Sequence, residues 1–377
     1  MRGTVTAEAS ISDARLAALR TLLDANGLDA ALLTRTANKR YFSGFRLGDA
    51  EGATSGWSGA LLVTPESSLI LADSRYTEQA RIEAPGWELV TTTGPMHEEL
   101  PALLLRHDVA ALGMEANVVS HADWAALAEA APGVELHAFD DELVPLRVTK
   151  TTDEVEAIGR ACALTDACFT HLAGWIRPGM TEREVAWELE SYFRANGAEG
   201  LAFDTIVLAG ARAAMPHGRP SDTVVEPGNV LLIDFGCVVG GYRSDMTRTL
   251  FVGDVPDEIR RHHDAVREAQ AAAIDAIAPG VNGQELDAVA RARIEAAGVE
   301  PYGHGLGHGI GLETHERPWI RRSVAYTLEV GMVFSVEPGI YLPGVTGIRI
   351  EDIVALEAGG PRLLTASPRE ALVVGVS

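Results

Sequence analysis

Two stretches of this chain, 103 residues apart, share one pattern. Gly228-Asn229-Val230-Leu231-Leu232-Ile233-Asp234-Phe235-Gly236 and Gly331-Met332-Val333-Phe334-Ser335-Val336-Glu337-Pro338-Gly339 both run glycine, apolar core, acid, glycine. Each is followed by a second strand-like stretch with another acid, Asp245 in one and Glu351 in the other. A strand–helix unit written twice, with its halves facing each other, predicts a pseudo-symmetric α+β domain. Two copies are too few for a solenoid.

An acid closing an apolar run is costly unless its charge is paired or bound to a cation. The chain places acids this way four times, at Asp234, Asp245, Glu337 and Glu351. Asp234 and Asp245 flank Val238-Val239-Gly240-Gly241, which reads as a hairpin. The two carboxylates are then opposite or diagonal neighbours, within ~5–8 Å. Glu337 and Glu351 repeat the arrangement around Pro343-Gly344. Two anions that close repel, and one protonates unless a cation lies between them. A single such acid is explained by hydrogen bonding at a strand end. Four in duplicated context point to one or two divalent metals bracketed by facing hairpins.

Four of the 11 histidines stand in special settings. His217 lies in Met215-Pro216-His217-Gly218. His304 and His308 lie in His304-Gly305-Leu306-Gly307-His308-Gly309-Ile310-Gly311, and His315 follows in Glu313-Thr314-His315-Glu316. Glycine at alternate positions lets the backbone approach closely and leaves His304 and His308 to project into one small volume. The residues alone do not select which histidine binds metal. His262-His263, beside Arg260 and Arg261, reads as solvated helix surface, and Arg248 reads as structural.

The length of 377 residues suggests two domains. Residues 1–147 alternate short apolar runs with amphipathic stretches, as an α/β domain does. Near Pro145–Lys150 the pattern changes. Thr151 with Glu154, and Thr181 with Glu184, spell capping boxes that open two helices of a second domain over 148–377. Two more helices are expected at about 256–278 and 283–297. The net charge of −22 excludes a nucleic-acid partner, which needs a dense basic surface. Nowhere do 18 consecutive apolar residues occur, so no membrane span is expected. Cys162, Cys168 and Cys237 make neither a disulfide framework nor a thiolate zinc site, and Cys162 and Cys168 read as packing residues. Met1–Ser10 shows no apolar run of the kind a leader needs, and the expected location is cytoplasmic.

Together these residues carry a family resemblance. Asp234-Phe235-Gly236, Ser244-Asp245-Met246-Thr247-Arg248-Thr249, Gly307-His308-Gly309-Ile310-Gly311, Glu337-Pro338-Gly339 and Arg349-Ile350-Glu351-Asp352 resemble the five-ligand signature of the pita-bread metallopeptidases. That superfamily includes methionine aminopeptidase, aminopeptidase P and prolidase. The resemblance covers about residues 150–375, with all five ligands present in order. The leading α/β domain, with Tyr41-Phe42-Ser43-Gly44-Phe45 and Asp73-Ser74-Arg75-Tyr76, is similar to the proline-specific branch, as are Pro216-His217-Gly218 and His315-Glu316-Arg317-Pro318.

The resemblance implies an α/β N-terminal domain, serving dimer contacts and access control, ahead of a pita-bread catalytic domain. It implies two divalent ions per subunit. Asp234 chelates one, Asp245 and Glu351 bridge both, and His308 with Glu337 completes the second site. Four carboxylates and one imidazole suit Mn²⁺ or Co²⁺ best, with Zn²⁺ or Fe²⁺ as alternatives. The implied reaction is hydrolysis of the N-terminal Xaa-Pro bond of a dipeptide or short peptide. Glu337 passes a proton from the attacking water to the leaving nitrogen. His217 and His315 bind substrate and oxyanion, and His304 lines the proline side. Arg349, two residues before Glu351, either braces a ligand carboxylate or holds the substrate's carboxylate. Tyr341 is a candidate brace for a ligand carboxylate. A homodimer is expected. The rival readings, an inactive peptide-binding module and a metal-free creatinase-like hydrolase, should both show substitutions among the acids.

Overall fold

The computed structural model describes residues 2–48 and 56–375, with side chains from Asp13 onward, so the expectation for Met1–Ser10 lies outside the described side chains. The chain divides into two compact units, Met1–Arg147 and Val148–Ser377.

In the first unit, helix α1 (Arg2–Ala25) carries Leu16, Leu19 and Leu23 at helical spacing, all buried. It leads into a six-stranded sheet built from β1 (Ala30–Leu33), β2 (Ala60–Val63), β3 (Ser68–Ala72), β4 (Glu88–Thr91), β5 (Ala111–Met114) and β6 (Glu135–Ala138). The strand order is β4-β3-β2-β1-β5-β6, with β1–β2 and β2–β3 antiparallel and the other pairs parallel. The central strands read as unbroken apolar runs because both faces are covered. Helices α2 (Thr36–Ser43), α3 (Thr77–Glu83), α4 (Met96–Arg106) and α5 (His121–Ala130) fill the connections, and α6 (Val144–Val148) follows.

The second unit opens with helices α7 (Thr152–Trp175) and α8 (Glu182–Ala195), and both capping boxes are present. Strands β7 (Gly200–Leu201), β8 (Ile206–Ala209), β9 (Val230–Phe235), β10 (Cys237–Val239), β11 (Tyr242–Arg243) and β12 (Met246–Val252) complete the first half. The second half repeats the plan. Helices α9 (Asp257–Asp275) and α10 (Gly283–Ala296) pack on one another as α7 and α8 do. They precede β13 (Gly307–Gly309), β14 (Glu316–Ile320), β15 (Val333–Val336), β16 (Gly339–Leu342), β17 (Thr346–Arg349), β18 (Asp352–Glu357), β19 (Gly360–Leu363) and β20 (Val373–Val374). One sheet runs β20-β12-β9-β8 and the other β14-β13-β15-β18-β19, so the two echoed runs are central strands β9 and β15. The main core lies between α7–α8 and the first sheet, with Phe169, Leu172, Leu189, Phe193, Leu231 and Ile233 buried. A smaller one joins Ile158 and Cys162 to Val333 and Ile353.

The turn between β10 and β11 is Gly240-Gly241, with φ of 59° and 82°. Positive φ at both central residues is the type I′ signature that matches strand twist, and glycine adopts it without steric cost. The three cysteines are buried and unbridged. One expectation is corrected: His263 is not surface. It lies buried edge-on against Phe251, with ring centroids 5.4 Å apart, because the helix presents this side to β12. Arg248 is buried, and its donors reach Asp352 and the carbonyls of Thr247, Glu351, Ser367 and Pro368.

Candidate metal centre

The two hairpins deliver their acids from opposite halves. Asp234 pairs in register with Thr247 across β9 and β12, which makes Asp245 its diagonal neighbour. The β16–β17 register places Gly339 opposite Arg349, and Glu337 and Glu351 lie two residues outside that pair. His308 enters from β13, between β14 and β15. Its flanking glycines are sterically required. A Cβ on Gly307 would lie 1.9 Å from the Ser335 carbonyl oxygen, and one on Gly309 would lie 2.0 Å from that of Arg317.

All five residues line one cavity of about 420 Å³ in the second unit, together with His217, His304, His315 and Arg349. Among the described residues, Asp245, His308 and Glu351 form a buried group whose donor atoms all lie within 4.8 Å of one another. His308 Nε2 is 3.4 Å from Glu337 Oε1 and 3.7 Å from Asp245 Oδ2. Asp234 sits beside them, its Oδ2 accepting from Arg349 Nη2 at 2.5 Å.

The electrostatics of this cluster call for a cation. Burial, reinforced by Glu351, Asp234 and Glu337, pushes the Asp245 carboxyl well above the usual range. Burial, then Glu337 and Asp234, does the same to Glu351, and burial also raises Glu337. His308 Nδ1 lies 3.0 Å from the Gly309 carbonyl oxygen, which can only accept, so Nδ1 carries the proton. Burial also lowers the ring's pKa. Nε2 therefore turns a lone pair, not a proton, toward two carboxylates. Asp234 Oδ1 and Asp245 Oδ1 are buried with no hydrogen-bond partner among the described residues. These two unpartnered oxygens, buried in one volume with the His308 ring nitrogen, are costly alone and fit a divalent ion well.

Around this group runs a directed chain of hydrogen bonds. Arg349 Nη1 donates to the Tyr341 hydroxyl at 2.8 Å, which donates to His304 Nε2 at 2.9 Å; His304 Nδ1 donates to the Gly305 carbonyl at 2.7 Å. Tyr341 thus braces Arg349 and His304, not a carboxylate, and burial pushes its hydroxyl up to about 12. Arg349 Nε donates to Thr247 Oγ1 at 3.0 Å, and Thr247 donates to Glu351 Oε2 at 2.7 Å. Ser335 donates to Glu337 Oε1 at 3.1 Å and accepts from the His308 N–H. Reading the sequence for charge alone misses Thr247 and Ser335. The available signal is their i±2 spacing from Asp245 and Glu337, which puts them on the same strand face.

His315 packs against His308 with ring centroids 4.3 Å apart. Burial and the neighbouring His308 push its pKa down to about 4. His217 is exposed at the cavity wall. Phe203, Ile206, Pro216 and Trp319 add apolar surface.

Comparison with known proteins bears on the same residues. The profile of metallopeptidase family M24 matches residues 156–358, and that of the creatinase/prolidase N-terminal domain matches 15–149. An Xaa-Pro dipeptidase of Pyrococcus furiosus is 36% identical over 361 residues, covering 95% of this chain and 99% of that one. The structure of an Xaa-Pro dipeptidase from Bacillus anthracis superposes with a TM-score of 0.89 at 35% identity, covering 96% of this chain and all of that one. An X-Pro aminopeptidase from Thermotoga maritima gives a TM-score of 0.84 at 39% identity, covering 92% and 98%. The chain therefore belongs to metallopeptidase family M24, an enzyme with a creatinase/prolidase N-terminal domain and a pita-bread catalytic domain.

Proposed function

We propose that this metallopeptidase hydrolyses the bond between an N-terminal residue and a following proline, in dipeptides or short peptides. Two divalent ions would be held by Asp234, Asp245, His308, Glu337 and Glu351. The observation that carries the reading is the His308 lone pair facing buried carboxylates with no donor between them. The names of the relatives, dipeptidase and aminopeptidase, support the proline specificity and leave peptide length open. Neither rival reading has its substitution, since no acid of the set is missing.

When bound, the ions supply Lewis acidity, acidifying water and polarising the scissile carbonyl. The chain's residues do the rest. Glu337, held by Ser335, takes a proton from the attacking water and passes it to the proline nitrogen; burial raises its affinity for that proton. His217 and His315 hydrogen-bond the substrate and the developing oxyanion, each such donor contributing roughly 10²–10³ in rate. His304 lines the proline side. Arg349 spends its donors on Asp234, Tyr341, Thr247 and the Pro216 carbonyl, which supports its role as a brace for a ligand over a role in holding substrate carboxylate.

Chelation should abolish hydrolysis of Ala-Pro and Ala-Pro-Ala, and Mn²⁺ or Co²⁺ should restore it better than Zn²⁺. Activity unchanged in chelator rejects the reading, and the ratio of the two substrate rates assigns peptide length. A homodimer and a cytoplasmic location belong to the same proposal. Light scattering at working concentration should give twice the chain mass, and a monomer would contradict it. Among the described residues no helix is long and apolar enough to cross a membrane.

A further inference from the structure

Among the described residues His217 has no hydrogen-bond partner, yet it must meet the substrate at a fixed place. It rides on a loop, and both ends of that loop close on one carboxylate. Glu182, the first residue of α8, is completely buried. Its Oε1 accepts from the Ala209 N–H at 2.8 Å, where β8 ends and the loop leaves the sheet. Its Oε2 accepts from the Ser221 N–H at 2.9 Å and the Ser221 hydroxyl at 2.7 Å, where the loop returns. Arg212 Nε bridges both oxygens at 3.0 Å, and its Nη2 donates to the Arg219 carbonyl at 2.7 Å. The loop's return strand is also bonded along α8's entry, through Glu182 N to Thr223 O and Arg183 N to Ser221 O.

We propose that Glu182 is the positioning residue for His217, a buried anionic clamp that fixes the two ends of segment 209–221 and thereby the place of the imidazole at the cavity. A neutral side chain could not serve equally. Five charge-assisted bonds converge on two oxygens, and the start of a helix is where a carboxylate is best stabilised. Between the clamped ends the turn Gly210–Ala214 lies against β17, Met215 N donates to Arg212 O and Gly218 N to Met215 O, Arg219 pairs with Asp204 at 2.9 Å, and Arg349 Nη1 and Nη2 each reach the Pro216 carbonyl at only 3.4 Å. Loosening the clamp should let the histidine drift, and a misplacement of about 1 Å can cost ~10² in rate.

The proposal rests on the reading of His217 as a substrate and oxyanion donor. Its test is a double-mutant cycle on the metal-loaded enzyme with Ala-Pro: Glu182→Gln, His217→Ala and the pair, with metal content and thermal midpoint measured alongside. Glu182→Gln should lower kcat roughly 10–100-fold with bound metal unchanged, and should have almost no further effect once His217 is alanine. Ser221→Ala, which removes one bond and keeps the charge, gives the same pattern at smaller size if Glu182→Gln does not fold. Full kcat in both clamp variants, or an equal loss with and without His217, overturns the clamp. Full kcat in His217→Ala alone would instead defeat the role given to His217.

Discussion

At the scale of single residues the acids are legible because the chemistry that makes them costly also makes them conspicuous: a carboxylate closing Val-Leu-Leu-Ile or Val-Phe-Ser-Val must be compensated by a partner or a cation. Their partners are harder to read. Arg349 is visible as a same-face neighbour of Glu351, but its choice of Asp234 depends on a residue 115 positions away. The spacing of Tyr341 from Glu337 suggests a carboxylate partner, whereas the β16–β17 register turns its hydroxyl to Arg349 and His304. Glu337→Gln keeps the shape and removes the proton acceptor. Turnover should fall roughly 10²–10⁴-fold, with folding intact by circular dichroism; near-normal turnover would take Glu337 off the proton path.

Elements are read more reliably than contacts. Both capping boxes mark real helix starts, since each satisfies free N–H groups locally and needs nothing distant to form. The glycine-rich run around His308 carries a subtler message, that the backbone there lies against other backbone. Gly307→Ala should therefore act as an overpacking change: its new Cβ would meet the Ser335 carbonyl, which belongs to strand β15 and cannot swing aside. Stability should drop by roughly 1–3 kcal/mol or more, and metal affinity should fall with it as β13 shifts His308. A thermal melt and a metal titration read the two effects, and a variant unchanged in both would contradict the close packing. His263 shows where reading a residue by its charged neighbours in sequence fails, for adjacent residues on a helix point about 100° apart, so one can be solvated and the other buried.

For the molecule as a whole, the second unit is stable only with buried charge and polarity in defined states. Burial holds His263 near pKa 4 against a usual 6.5, the nearby Asp264 and Glu370 opposing this and Arg267 and Arg248 reinforcing it. A depressed histidine pKa means that the unfolded chain binds the proton more readily. Stability is thus full above pH 6.5 and is lost as the pH falls toward 4, by up to roughly 3 kcal/mol. Between pH 7 and 4.5 the denaturation midpoint of the wild type should fall relative to that of His263→Leu, which has no proton to take up; parallel curves would count against this. The duplicated architecture is written in the sequence, but the wiring behind it is not. Asp352 alone gathers Arg248, Gln270, Thr365 and Arg369 from distant segments.

That wiring sets an order in time. Residues 365–369 are buckled to the back of the metal-site strands, Ala366 and Ser367 donating to Asp166 while Arg248 grips the carbonyls of Ser367 and Pro368. During synthesis on the ribosome, Glu351 emerges before the segment that locks its neighbour Asp352 in place. A chain cut short of Thr365 should therefore keep the five residues proposed to hold metal while losing the bonds from Thr365 and Arg369 that fix Asp352 beside Glu351.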